Sequence, residues 1–491
     1  MPSIKKNLIY NLLLSVSQIL FPLISFPYAS RKLGPGGIGT VSFVDSFTQY
    51  FILIAALGIP IYGVREVARA RSDRTSLNKL FSELLIIHFV STFFLLIAYA
   101  CLVFFVPQLH EYVKIFFVGG CILTGNVFLI EWFFVGMENF GYVVRRTLFF
   151  RLVTLILLFV FVHSAEDTVL YYGLTLISVV ASALINMWYS RNFVSITFTN
   201  LQLKRHLKPL LIILSSTAII SVYVIMDNII LGFLTNNIIV GYYTISTRVS
   251  RISVSIIGAL GTVLIPRLSA LYKDNNKAEM QKLLNMACEY VMIIGIPVAI
   301  GMILLAPELI LLFGGTAYTP AIPSLRILSL VIVVIGLAQI YSQQILIPFN
   351  REKDILISAV AGVIISLLLN LMLIPLFKHI GSALASLATE ITVTTVLIYF
   401  SRKRLSVPIG WRSVFTSLLS CVPFYPIKLV VSATSLSAFP RLLLIIVASG
   451  ILYMLLQLFL FRNRLLEESI SPLKQSLENK WTWFTGKRNK N

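Results

Sequence analysis

The stretch "YYTISTRVSRISVSIIGALGTVLI", residues 242–265, is apolar and long enough to cross a membrane, yet it holds Arg248 and Arg251. At spacing i, i+3 the two guanidinium groups share one helix face. A charge at the centre of a membrane helix costs at least about 2.5–3.5 kcal/mol, so that face must look at a partner or at water. Two partners compete. One is an internal ion pair with Asp227, which sits on the preceding apolar stretch one tight "TNN" turn away. The other is an anion bound in a cavity, with Arg31 and Lys32 adding positive charge at its mouth. One carboxylate cannot neutralise two guanidinium groups, which favours the anion. Asp45 and Glu390, also embedded in apolar sequence, are candidates for completing the neutralisation or for carrying a coupling proton or Na⁺.

The elements that position these residues follow from composition and periodicity. Of 491 residues, 57% are hydrophobic and 12% charged, whereas a soluble domain is roughly 25% charged. Apolar runs of membrane-spanning length recur between short polar breaks. Fourteen are expected, near 8–30, 38–63, 82–106, 115–136, 147–163, 168–189, 209–234, 238–265, 286–313, 327–348, 355–376, 380–400, 414–432 and 440–461. Nothing alternates at period two, so the fold class is an all-α polytopic membrane protein and not a barrel.

Charge placement sets the topology. Segments that are cytoplasmic if the N-terminus is inside hold 31 of the 40 Lys and Arg, "RRTLFFR" at 145–151 among them. Six lie at the opposite ends, and Arg248, Arg251 and Lys428 fall within spans. This bias places both termini in the cytoplasm. The net charge of +20 then reflects topology and attraction to anionic headgroups, not nucleic-acid binding. Glu83, Glu131, Glu289 and Lys428 lie near span ends, where snorkelling accounts for a charge. The first 30 residues read as an uncleaved first helix. The basic tail 462–491, with Trp481, Trp483 and Phe484, suits a segment on the inner headgroups or a solvated end.

An internal repeat links residues 37–74 to 239–276 without gaps. At an offset of 202, Gly39 falls on Gly241, Ser42 on Thr244, Arg65 on Arg267 and Ala68 on Ala270. Six spans separate the copies, so the halves have one orientation, as in transporters whose repeats are related by an axis along the membrane normal. The expected organisation is an N-lobe at 1–208, a C-lobe at 209–404 enclosing a central cavity with it, spans 13 and 14 at 405–461, and the tail.

Three stretches, "SRKLGPGGIGTVSFVDSFTQYFILIAALGIPIYGVREVAR" (30–69), "EWFFVGMENFGYVVRRTLFFR" (131–151) and "DNIILGFLTNNIIVGYYTISTRVSRI" (227–252), together resemble the Wzx-type polysaccharide flippases. These belong to the multidrug/oligosaccharidyl-lipid/polysaccharide exporter superfamily. The likeness covers essentially the whole chain, with Val135 where that branch often carries Gln. It implies an undecaprenyl-pyrophosphate-linked oligosaccharide as substrate, turned from the inner to the outer leaflet by alternating access. It further implies a pyrophosphate site at Arg248, Arg251, Arg31 and Lys32, and coupling to an H⁺ or Na⁺ gradient without an organic cofactor or bound metal. Spans 13 and 14 would guide the lipid tail. Tyr242, Tyr243, Tyr341 and Gln343 are candidate sugar contacts, although tyrosines are common at membrane interfaces in general. The implied partners are the lipid-linked oligosaccharide, membrane lipids, and the polymerase and glycosyltransferases of the same route, with no nucleic acid.

Alternatives within the superfamily are a lipid II flippase and a multidrug exporter. From a different class comes a membrane polysaccharide polymerase, an enzyme that would show a long external loop with convergent polar residues. None of the outer loops is long, and no H-E-x-x-H, P-loop or G-x-S-x-G occurs. The four cysteines lie in or beside spans without C-x-x-C spacing and read as packing residues. The topology predicts that reporters fused at His163, Thr235 and Ala438 read as periplasmic and those at Arg71, Asn275 and Lys403 as cytoplasmic; any inverted pair removes a span.

Overall fold

A computed structural model of the chain describes residues 4–274, 276–403, 405, 407, 410–463 and 465–466. The aromatic residues of the basic tail lie outside them. The described chain is helical: α1 (Ile4–Ala55), α2 (Ile59–Ala70), α3 (Arg74–Phe105), α4 (Pro107–His110), α5 (Val113–Asn126), α6 (Glu131–Gly136), α7 (Phe140–Phe161), α8 (Thr168–Ser190) and α9 (Lys204–Leu234). There follow α10 (Asn237–Lys273), α11 (Lys277–Leu304), α12 (Ala306–Gly314), α13 (Ile322–Gln339), α14 (Glu352–Phe377), α15 (His379–Arg402), α16 (Trp411–Cys421), α17 (Phe424–Ser432) and α18 (Ala438–Leu455). Each of the fourteen expected spans falls on this helical chain, and ten stretches among the described residues are long and apolar enough to cross a membrane.

Departures from regular helix have local causes. The 52 residues of α1 would reach about 78 Å, far beyond a hydrocarbon core of about 30 Å. It therefore bends at Gly34, whose φ of 68° suits glycine, and makes two spans. Ile130 and Glu138, with φ of 34° and 58°, isolate α6 between α5 and α7. Trp132, Phe133 and Phe134 are buried there, against α2 and α3. Helix α7 starts at Phe140, seven residues before the expected span at 147–163, and takes Arg145, Arg146 and Arg151 into the helix.

Two compact units are formed. One comprises Met1–Arg248, Phe313–Ser324 and Ala359–Thr389, the other Val249–Leu312, Leu325–Ser358 and Glu390–Asn491. Their boundaries do not follow the 208/209 division, since α9 and the start of α10 pack with the N-terminal helices. In the first unit α1 and α10 meet through the repeated glycines. A Cβ on Gly39 would overlap the Asn237 carbonyl, and one on Gly241 the Pro35 carbonyl. Residues 35 and 237 are themselves one repeat apart. Reciprocal contacts of this kind arise where a two-fold axis runs between equivalent segments. Asn237 Nδ2 donates to Thr40 Oγ1 at 2.7 Å across this junction, and Asn228 Nδ2 of the neighbouring α9 donates to Ser46 Oγ of α1 at 3.1 Å. Phe43 packs edge-on against Phe233.

Several charges at span ends are ties between elements and do not snorkel. Glu83 is buried on α3 and accepts from Arg205 at 2.6 Å, from the Gln202 backbone at 2.6 Å and from His206 at 2.8 Å. With Asn78 and Ser82, it fixes the 195–203 linker to α3. Glu131 is engaged by Arg146. In the second unit, Lys428 of α17 donates to the Leu304 carbonyl at 2.6 Å and pairs with Glu308 at 2.9 Å. Nearby, Tyr453 of α18 donates to the Ile293 carbonyl at 2.6 Å. These bonds hold spans 13 and 14 on α11.

The glycine crossing predicts a gating phenotype. With the native cysteines replaced by Ser, a Thr40→Cys probe should resist a membrane-impermeant thiol reagent, and adding Gly241→Val should raise its labelling several-fold. Equal labelling with and without the valine would show that the crossing is no seal. Overpacking of this kind also costs about 1–3 kcal/mol, read as a lower melting temperature.

Candidate functional site

The bend at Gly34 and the prolines Pro22, Pro27 and Pro35 shape the part of α1 that carries Phe26, Arg31 and Lys32. Arg31 and Lys32 are exposed just before the bend, and the Lys32 ammonium lies 5.8 Å from the centroid of the Tyr28 ring. Arg248 comes eleven residues into α10, about 16 Å along its axis. Its guanidinium lies 4.4 Å from the centroid of Phe26, a ring only 2% exposed. Among the described residues Arg248 forms no ion pair. A ring quadrupole offsets part of the charge and occupies none of the N–H donors.

The surroundings of Arg248 are aromatic and hydroxylic. Asp45, on the second half of α1, interacts with Arg248 through charge alone and accepts from the Tyr172 hydroxyl at 3.3 Å. Tyr318 also feels the Arg248 charge, and its buried hydroxyl has no hydrogen-bond partner among the described residues. Tyr242 packs edge-on against Tyr318 and against His379, which pairs with Ser324 at 2.7 Å. Tyr318 was not singled out in the sequence because it lies in a short 3₁₀ segment between expected spans, Thr316–Ala321, that only tertiary packing brings back to α10.

Asp227 is not the partner of Arg248. Buried on α9, it accepts from Tyr243 and Ser386 at 2.5 Å each on one oxygen, and from Asn370 at 2.8 Å on the other. Ser366 and Ser382 in turn bond Asn370. Each of these described partners is a neutral group that donates to the carboxylate.

The remaining candidates divide by burial. Arg251, exposed on α10, and Glu390, partly exposed on α15, both belong to the second unit. Gln343 is half-buried in a π-helical segment, Ile340–Leu346. Tyr341 in that segment is 1% exposed and donates to the Val407 carbonyl at 3.3 Å. Tyr243 is likewise buried on Asp227. Neither hydroxyl reaches a sugar in this conformation, so of the three tyrosines Tyr242 alone keeps partial exposure.

Two arginines escaped the sequence reading. Arg146 is buried and spans Glu131, Asn186 at 2.5 Å and Thr147 at 3.3 Å. Arg151 bonds Ser17 on α1. Counting "RRTLFFR" as cytoplasmic loop hid both; Asn139 just before an unbroken apolar run is the signal that α7 begins earlier.

Comparisons with known proteins agree with this architecture. The chain is 26% identical over 410 residues to the "Putative O-antigen transporter" of Escherichia coli (strain K12), covering 82% of this chain and 97% of that protein. Its fold is similar to a lipid II flippase MurJ structure in an inward closed conformation, with TM-score 0.74 at 14% identity over 93% of this chain and 99% of the other. A multidrug resistance MATE family transporter in its inward-facing conformation gives TM-score 0.64 at 15% identity over 79% and 94% of the two chains. The polysaccharide biosynthesis protein family matches residues 4–272, more than half of the sequence and the part that contains α1, α7, Asp227 and Arg248, and the chain belongs to that family.

Proposed function

We propose that this multi-pass membrane protein moves an undecaprenyl-pyrophosphate-linked oligosaccharide from the inner to the outer leaflet of the bacterial cytoplasmic membrane, for surface polysaccharide export. The carrying observation is Arg248, deep in α10 and supported by the Phe26 ring with no carboxylate bonded to it. A guanidinium so placed offers a planar set of donors to pyrophosphate oxygens. Arg31 and Lys32 lie on the same helix toward its Gly34 end, and extend positive charge along the path. The relative's name, an O-antigen transporter, supports a lipid-linked glycan as cargo.

Transport proceeds by alternating access, with both termini cytoplasmic as the charge bias requires. Asp227, with Tyr243, Ser386 and Asn370 around it, takes the coupling H⁺ or Na⁺. Asp45 lies in the field of Arg248 and is the counter-charge when no substrate is bound. Polymerase and glycosyltransferases act on the same lipid-linked glycan before and after this step.

Deleting the gene, in a strain without a redundant flippase, should strand lipid-linked repeat units on the inner leaflet and remove surface polymer; normal polymer would sink the proposal. Arg248→Gln should leave membrane abundance near normal and lower transport at least about tenfold, with partial rescue by Lys, since an ammonium keeps the charge and loses the planar fork. Full activity of Arg248→Gln refutes the anion role. Asp227→Asn should keep the fold and remove the gradient dependence of transport, measured in vesicles with and without an imposed gradient.

A further inference from the structure

Arg151 lies in the middle of α7, eleven residues after Phe140 and ten before Phe161, so about 15 Å of helix separates it from either end. Its hydrogen-bond partner among the described residues is one neutral group, the Ser17 hydroxyl of α1, which is buried and donates its own proton to the Leu14 carbonyl at 2.7 Å. The carboxylate that feels Arg151, Glu131, is engaged by Arg146. Arg146 shows what a structural arginine looks like here: buried, with Glu131, Asn186 and Thr147 on its terminal nitrogens. Arg151 is half-exposed, and Ser17 takes one of the five N–H donors of a guanidinium.

Arg151 and Arg248 of the first unit both rest on the same part of α1. Arg151 is at Ser17 and Arg248 is at Phe26, nine residues or about 13 Å apart along the helix. Ser17 is nearer the N-terminal, cytoplasmic end. We propose that Arg151 is a second anion subsite, on the cytoplasmic side of Arg248, that receives the phosphate group of the lipid-linked substrate first. The inference rests on the flippase reading above. It divides the positive charge between two levels, so the anion need not cross half the membrane in one step without a donor set.

Full-length protein in lipid nanodiscs, with undecaprenyl pyrophosphate as the probe and binding followed by native mass spectrometry, separates the outcomes. Arg151→Gln should weaken binding about tenfold and Arg151→Lys about threefold, while Ser17→Ala stays within about twofold. Ser17→Asp keeps the α1–α7 tie but fills the guanidinium donors from within, and should weaken binding as Arg151→Gln does, at unchanged melting temperature. Wild-type binding by both Arg151→Gln and Ser17→Asp, with loss in Arg248→Gln, overturns this inference and leaves the flippase reading standing. No binding of the probe by the unmodified chain overturns that reading as well. Excess phosphatidylglycerol should fail to displace the probe; displacement by it means an ordinary headgroup contact and refutes the subsite.

Discussion

In hydrocarbon no water completes the coordination of a charge, so each embedded guanidinium, ammonium or carboxylate depends on groups the protein supplies. This requirement grades the charges of the first unit. Glu83 is engaged by Arg205, His206 and a backbone N–H, and the terminal nitrogens of Arg146 by Glu131 and Asn186. Each ion pair joins one buried and one half-exposed side chain, and these groups fasten helices and the 195–203 linker. Asp227 has neutral donors only among its described bonds. Arg248 has a ring. Arg248, with a ring in place of a bonded carboxylate, has the most donor capacity left for an exchangeable partner, which is why the proposed anion role falls on it.

The glycine crossing depends on the same constraint from the steric side. Where α1 and α10 meet, backbone approaches backbone so closely that Gly39 and Gly241 leave no room for a Cβ. Small residues allow such contact between membrane helices, where lipid gives no hydrophobic drive and packing supplies the attraction. A junction made of backbone and a few polar bonds, such as Asn237 to Thr40, closes tightly without interlocked side chains. It can therefore part as a unit when the balance of charges beneath it changes.

Much of this was legible in the sequence. Apolar length gave the fourteen spans, the offset of 202 found the two glycines that meet, and the cost of a charge in hydrocarbon singled out Arg248 and Asp227. Three things were not legible, each for a physical reason. Helix starts move when a charged residue finds a partner, as Arg146 and Arg151 do, so a rule that counts basic residues as loop misplaced α7. Glu83 looks like a snorkelling residue until the linker folds back with Arg205 and His206. Tyr318 and Ser386 come to Arg248 and Asp227 through contacts more than 60 residues distant in sequence, a distance over which periodicity carries no information.

The sign of the site also argues about cargo. A cationic substrate approaching Arg248 would meet a guanidinium with no bonded carboxylate, and would have to bring its own counter-ion into the membrane. An anion meets the opposite situation. Its binding supplies the charge that Phe26 only partly offsets, and the buried Tyr318 hydroxyl nearby adds a neutral donor. Asp45, already in the field of Arg248, is then relieved of its role as counter-charge. Loading thus removes an electrostatic interaction between α1 and α10, the two helices that the glycine crossing joins. In the proposed cycle, a change in charge at Arg248 would reach the junction through α1 and α10, the helices that carry both.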